Sequence, residues 1–213
     1  MHLRMLLIFD LDGTLIDTRE EILETFSQAF ENLGLKLDKE ELDKYVGLPL
    51  KELLEALLGK YDRRVEEEIR KIYYSERPRK IKIFPGMEEI IRSNGFKKAI
   101  LTSKRRRAAF YDLEYVGIQQ YFHIIIGADD LKRKKPDGEG IRKIMSIVRC
   151  EYPERVYMIG DTEMDILAAK NAGVKSVAVT WGFRDEEILR KYEPDYIVHS
   201  PKELKELIAQ AQR

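Results

Sequence analysis

The sequence predicts an α/β protein: a Rossmann-like parallel sheet covered by helices on both faces, with one helical subdomain inserted into it. Two observations carry this reading. Short apolar runs ending in glycine, aspartate or hydroxyl residues alternate with amphipathic segments of helix length, the pattern of buried parallel strands joined by crossover helices. One interval, from Asp12 to Thr102, is much longer than a crossover requires, and its interior reads as helix. At ~150 residues per domain, 213 residues hold one domain and a small insert.

The elements follow in order. The first strand is the apolar run from Leu6 to Phe9, which leads straight into Asp10-Leu11-Asp12-Gly13-Thr14. A first linker falls near Ile16 and Asp17. Ile22, Phe26, Phe30 and Leu33 then recur on one helical face, and Asp38 followed by Glu41 reads as a capping box. Leu50, Leu53, Leu54, Leu57 and Leu58 continue the helical pattern, followed by Val65, Ile69 and Ile72. Together these predict a helical cap over residues 17–82, with Arg77-Pro78-Arg79-Lys80 and residues 83–86 as the return linker. Residues 1–16 and 83–213 form the predicted core domain. Its further strands are residues 98–101, 123–126, 156–159, 176–179 and 196–198. Its helices carry Met87, Ile90 and Ile91; Ala109, Leu113 and Val116; Ile141, Ile144, Met145 and Val148; and residues 165–172, stopped by Gly173. Ser200, Pro201 and Glu203 make a helix start before Leu204, Leu207 and Ile208.

Composition narrows the function classes. The 38 basic and 38 acidic residues cancel, which argues against a general nucleic-acid binder. One cysteine, Cys150, excludes an intrachain disulfide and predicts a reducing, cytoplasmic setting and an inert thiol. The histidines, His2, His123 and His199, are scattered, so a His/Cys zinc site is not expected. No apolar run approaches the ~18 residues of a membrane span. The short apolar stretch at the start is followed at once by acids, so it does not read as a signal peptide. No heptad or apolar seam specifies an oligomer, so monomer and homodimer both stay open.

The chemistry sits where strands end. Open parallel sheets bind ligands beyond the carboxyl ends of their strands, and Asp10 and Asp12 stand there after the first apolar run. Gly13 permits a turn with close backbone approach, and Thr14 offers a hydroxyl and nearby amides to an anion. Asp161 and Asp165 follow another such run. If the strands are neighbours, these acids converge on one cation, and an all-oxygen site suits Mg²⁺. Asp165 also reads as an acid favouring a helix start. Thr102 and Ser103 precede Lys104-Arg105-Arg106-Arg107 and can hold a phosphoryl oxygen with helix-start amides. In Lys132-Arg133-Lys134-Lys135-Pro136, the proline marks Lys135 as the functional lysine, with the other three facing solvent. Two basic loops around acidic metal ligands would attract a phosphate dianion despite zero net charge. Trp181, Phe183 and Tyr192 are read as packing beneath the last loops, and Tyr73 and Tyr74 as packing in the cap.

In this order, Asp10-Leu11-Asp12-Gly13-Thr14, Thr102, Lys135-Pro136, and Gly160-Asp161 with Asp165 resemble the four motifs of the haloacid dehalogenase superfamily in its phosphatase branch. The helical insert is similar to the family's first cap type. Thr14-Leu15-Ile16-Asp17-Thr18, Tyr45-Val46-Gly47-Leu48-Pro49, Asn171-Ala172-Gly173-Val174 and Val179-Thr180-Trp181-Gly182 resemble phosphoglycolate phosphatases and their pyrophosphatase relatives. The resemblance implies Asp10 as nucleophile and Asp12 as acid, then base. It implies Mg²⁺ held by Asp10, the Asp12 backbone carbonyl and Asp161, with Asp165 adjacent or acting through water. Thr102 and Lys135 would grip the transferring oxygens, helped by Thr14 and Ser103, and the Gly47-Leu48-Pro49 loop would face the core and contribute to specificity. The implied substrate is a small phosphorylated metabolite such as 2-phosphoglycolate. Pyrophosphate, sugar phosphates and nucleoside monophosphates are the alternatives, and a phosphomutase or a non-catalytic binding module are the competing classes. An acid at position 12 disfavours dehalogenation. The chain departs from the branch at Asp137-Gly138-Glu139-Gly140, which lacks a second proline, and at the bulky Arg105.

Overall fold

The computed structural model describes residues 5–212, so His2 and the first four residues lie outside it. In chain order the elements are β1 (Leu6–Phe9), β2 (Ile16–Asp17), α1 (Arg19–Asn32), α2 (Lys39–Tyr45), α3 (Leu50–Leu58), α4 (Arg63–Tyr73), β3 (Lys82–Ile83), α5 (Met87–Arg92) and β4 (Lys97–Leu101). They continue with α6 (Arg106–Tyr115), β5 (Ile124–Ile126), α7 (Glu139–Val148), β6 (Val156–Gly160), α8 (Glu163–Ala172), β7 (Lys175–Val179), α9 (Glu186–Arg190), β8 (Tyr196–Val198) and α10 (Pro201–Ala211).

Six strands form one sheet in the order β5-β4-β1-β6-β7-β8, and every pairing is parallel. Strand side chains alternate between two apolar layers. Leu7, Phe9, Ile100 and Ile159 pack with Met87, Ile91, Leu113 and Leu204 of α5, α6 and α10. Leu6, Ile8, Leu101 and Met158 pack with Ile141, Ile144 and Ala168 of α7 and α8. All four residues of β1 are buried, as a strand covered on both faces requires.

The strand order reverses at β1, which has β4 on one side and β6 on the other. Phe9 lies in register with Ile100 and with Ile159. That register carries Asp10, Thr102 and Asp161 to one edge of the sheet, at the switch point where open α/β sheets leave a crevice.

The helices α1 to α4 form the cap around Phe26, Phe30, Leu42, Leu54, Val65 and Ile69. Leu33 departs from the predicted face: it lies just past the end of α1 and is exposed, because the chain has already left the helix. Asp38 caps α2 by accepting from the amides of Glu40 and Glu41. The Glu41 side chain does not close the expected box, since it accepts from Lys44 and from Tyr45 instead. The two segments expected only as linkers pair with each other: β2 and β3 are antiparallel, with Ile16 opposite Ile83. The chain leaves and re-enters the core at one place, so its two extended ends satisfy each other's backbone groups. The return segment is also anchored. Glu21, buried on α1, accepts from Arg77 Nη2 at 2.8 Å, Arg79 Nε at 3.2 Å and the Lys80 amide at 2.9 Å.

Candidate active site

Asp10, Asp161 and Asp165 are all buried, and one carboxylate oxygen from each lies within 4.8 Å of the others. Asp10 is the first residue past β1, Asp161 the first past β6, and Asp165 sits in the first turn of α8. Lys135 Nζ reaches into the group, 3.0 Å from Asp10 Oδ1 and 2.6 Å from Asp165 Oδ1. Asp161 accepts from the Thr14 hydroxyl at 2.9 Å and from the Phe183 amide at 2.7 Å. Asp165 Oδ2 accepts from the Thr162 amide and hydroxyl. Gly13, at φ +76°, and Gly182 let the backbone pass so close to Asp161 that a β-carbon at either would stand 2.2 Å from Oδ2.

Three carboxylates face one ammonium, and the titration behaviour follows from that imbalance. Burial, followed by the negative charges of Asp165, Asp161 and Asp12, pushes Asp10 well above the usual carboxylate range although Lys135 opposes it. Burial and Asp165 raise Asp161 to about 7. Burial disfavours the charged form of Lys135, but Asp10 and Asp165 outweigh it and hold the ammonium above its ordinary range. The Lys135 contact is an ion pair without hydrogen-bond alignment, so buried Asp10 Oδ1 has no hydrogen-bond donor. Crowded, under-neutralised hard oxygens with one oxygen lacking a donor fit a small divalent cation.

A cavity of about 290 Å³ runs from Asp10 and Asp12 to the underside of the cap, and its wall includes Thr102, Ser103, Gly47 and Leu48. The structure therefore brings Asp10, Asp12, Thr102, Ser103, Gly47 and Leu48 to one space, with Lys135 directly behind Asp10. Gly47, at φ +105°, approaches the core so closely that a β-carbon there would lie 3.0 Å from Thr162 Cγ2. Thr14 differs from its expected place: its hydroxyl is turned to Asp161, and Thr14 is not part of the cavity wall. The Asp12 side chain lies outside the carboxylate trio. Its Oδ1 accepts from Thr18 at 2.7 Å and from Lys104 at 2.6 Å, so any share of Asp12 in a metal site falls to its backbone carbonyl.

Several functional contacts lie beyond the sequence reading. Lys104, one of four consecutive basic residues, is half-buried and held between Asp12 and Asp112. Asp112 also holds Arg79 Nη1 at 2.7 Å and accepts from Tyr73. Tyr73 thus joins cap to core instead of packing within the cap. A charged chain, buried at Asp112 and Arg79, runs from Asp12 through Lys104 and Asp112 to the cap's return segment. Lys134, expected in solvent, reaches Glu52 of the cap at 2.7 Å, while Lys132 and Arg133 are exposed as expected. Phe183 and Trp181 also do more than fill space. The Phe183 ring packs against the cap cluster, and Trp181 Nε1 donates to the Thr14 carbonyl at 3.2 Å.

Arg184 docks the cap. Its guanidinium pairs with Glu163 at 3.0 Å and donates to the carbonyls of Asp43, Lys44 and Val46, which stand at and just past the C-terminal end of α2. A cation there satisfies carbonyls that the helix cannot. It also fixes the Gly47-Leu48-Pro49 loop over the core. Arg184→Ala is expected to cost ~1–3 kcal/mol in urea unfolding, because the carbonyls and Glu163 lose a buried partner. A loss within ~0.5 kcal/mol would show that the cap docks by other contacts.

A family model of haloacid dehalogenase-like hydrolases matches residues 7–179. The chain belongs to that family. A pyrophosphatase PpaX of Halalkalibacterium halodurans is 33% identical over 208 residues, spanning 94% of this chain and 95% of that protein. A phosphoglycolate phosphatase of Aquifex aeolicus is 31% identical over 207 residues, 95% of this chain and 95% of that one. Among solved structures, a haloacid dehalogenase-like family hydrolase from Streptococcus pneumoniae superposes with a TM-score of 0.83 at 26% identity, covering 96% of this chain and 98% of that one.

Proposed function

We propose that the chain is a Mg²⁺-dependent phosphomonoester hydrolase that acts through an aspartyl-phosphate on Asp10. The observation that carries this reading is the buried carboxylate of Asp10, backed by Lys135 and opening onto the cavity beside Asp12. An Asp10 oxygen attacks phosphorus in line, and the bond from phosphorus to the alcohol oxygen breaks. Thr18 and Lys104 both engage Asp12 Oδ1, which leaves Oδ2 to carry the proton that passes to the departing oxygen. Asp12 then takes a proton from the water that attacks the aspartyl-phosphate, releasing phosphate and restoring Asp10. Thr102 and Ser103 hold the oxygens of the transferring phosphoryl group, and the Lys135 ammonium behind Asp10 offsets the charge they gather. Asp10, Asp161, Asp165 and the Asp12 backbone carbonyl would hold Mg²⁺, which would supply the positive charge that lets a phosphate dianion approach a carboxylate. Closure of the cap over a bound substrate would exclude bulk water from this space.

The substrate is a small phosphorylated metabolite. The motif resemblance suggests 2-phosphoglycolate, and the names of several relatives make pyrophosphate the second reading. Phosphate release from 2-phosphoglycolate, sugar phosphates, nucleoside monophosphates and pyrophosphate, each with Mg²⁺ and with a chelator, tests the proposal. Turnover of at least one monoester that the chelator abolishes is the expected result. No release from any monoester would refute it.

A further inference from the structure

The cavity beyond the phosphoryl position has an unusual wall for a site serving small, doubly anionic substrates. Ile22 and Phe26 of α1, Leu48 of the docked loop, Leu53 of α3 and Ile69 of α4 all face it. These are residues of the cap's apolar cluster, so the interior of the helical bundle opens onto the reacting centre.

Five cations also line the cavity, and each already has a carboxylate partner. Lys51 lies 3.9 Å from Glu55, Arg105 lies 3.7 Å from Glu66, and Lys134 lies 2.7 Å from Glu52. Arg70 Nε donates to Glu66 at 2.7 Å, and Lys104 is held between Asp12 and Asp112. A second anion on the leaving group, whether a carboxylate or another phosphate, must displace one of these partners or lie beside it. Glu66 is itself in the wall, so the repulsion is built in. An apolar alcohol meets no such cost and removes apolar wall from water.

We infer that the leaving-group side of the site selects phosphomonoesters of apolar alcohols, alkyl or aryl in character, over esters whose alcohol carries a second anion. The inference rests on the phosphatase reading and departs from it in the substrate, placing esters of apolar alcohols ahead of the 2-phosphoglycolate and pyrophosphate that the motif resemblance and the relatives' names suggest. The reaction is unchanged: the alcohol departs with the proton from Asp12, and water restores Asp10.

The n-alkyl phosphates separate the two levels. Ethyl, butyl and hexyl phosphate have nearly equal leaving-group chemistry and differ in apolar length alone. With Mg²⁺, kcat/KM is expected to rise about fourfold for each methylene buried, about 250-fold from ethyl to hexyl phosphate when all four added methylenes are buried. Hexyl phosphate is expected to outrun both 2-phosphoglycolate and pyrophosphate by at least tenfold. In Ile22→Ser and Ile69→Ser the hexyl-to-ethyl ratio is expected to fall, and a ratio is independent of how much of each variant folds. Equal kcat/KM along the series would overturn the inference while leaving the phosphatase reading intact. So would either anionic substrate exceeding hexyl phosphate. No phosphate released from any compound would overturn both.

Discussion

Asp10→Asn is expected to lower phosphate release by at least ~10³-fold without destabilising the metal-free protein. The carboxamide is a poor nucleophile, so the covalent route closes. The folding term runs the other way. Asp10, Asp161 and Asp165 are buried within 4.8 Å of one another, and burial together with the neighbouring acids already raises the pKa of Asp10. Removing one charge relieves that repulsion, and Lys135 keeps Asp165 as a partner at 2.6 Å. The melting temperature in chelator should equal or exceed that of the parent. Loss of activity together with a lower melting temperature would mean that Asp10 is needed to fold the site. Unchanged turnover would place the nucleophile elsewhere.

Lys135→Met should give a large loss of stability. Its Nζ is the cation in contact with Asp10 and Asp165, and breaking a buried ion pair by removing one partner costs ~3–5 kcal/mol. The cost should depend on pH in a definite direction. In the folded parent, Asp161 holds its proton up to about 7, against an ordinary value of 3.8. Between those values the folded state binds a proton that the unfolded chain has lost, so this group's contribution to stability declines as pH rises through the window. Without the Lys135 ammonium the carboxyls hold their protons still more strongly. The deficit of Lys135→Met should therefore be largest near pH 8 and shrink toward pH 5, in urea unfolding with chelator present. Adding Mg²⁺ at pH 8 should recover part of it, since a bound cation replaces the missing charge. A deficit that is the same at every pH would show that packing, and not charge, sets the role of Lys135.

Both predictions start from residues that their place in the sequence singles out. Asp10 and Asp12 stand directly after an apolar run, and a strand buried on both faces needs such a run. Asp161 stands in the same relation to β6. Their place at strand ends is a local property, legible from a dozen residues. The cap was legible for a similar reason: its helices carry apolar residues at helical spacing over a stretch with no strand signal. Lys104 was not legible. It heads the run Lys104-Arg105-Arg106-Arg107, in which every residue carries the same charge. Only the arrival of Asp12, 92 residues earlier in the chain, and of Asp112 one helix later distinguishes it. Arg184 was hidden likewise, because its partners are backbone carbonyls, which every residue possesses. The Thr14 hydroxyl could equally have served an anion, until packing placed Asp161 at 2.9 Å.

Alternation of apolar runs and amphipathic segments, with acids and hydroxyls at the turns, was enough to predict the class of fold and the inserted cap and to single out the residues proposed to carry the chemistry. These depend on short-range periodicity, which the chain displays openly. The convergence of three carboxylates on one lysine, the ion pairs that occupy the cavity's cations, and the apolar wall facing the leaving group emerged only with the packed molecule. Each depends on the register of β1 between β4 and β6 and on the angle at which the cap closes. Those are set by contacts between residues far apart in the chain, and a charge or a methyl group carries no mark in sequence of which distant partner it will meet.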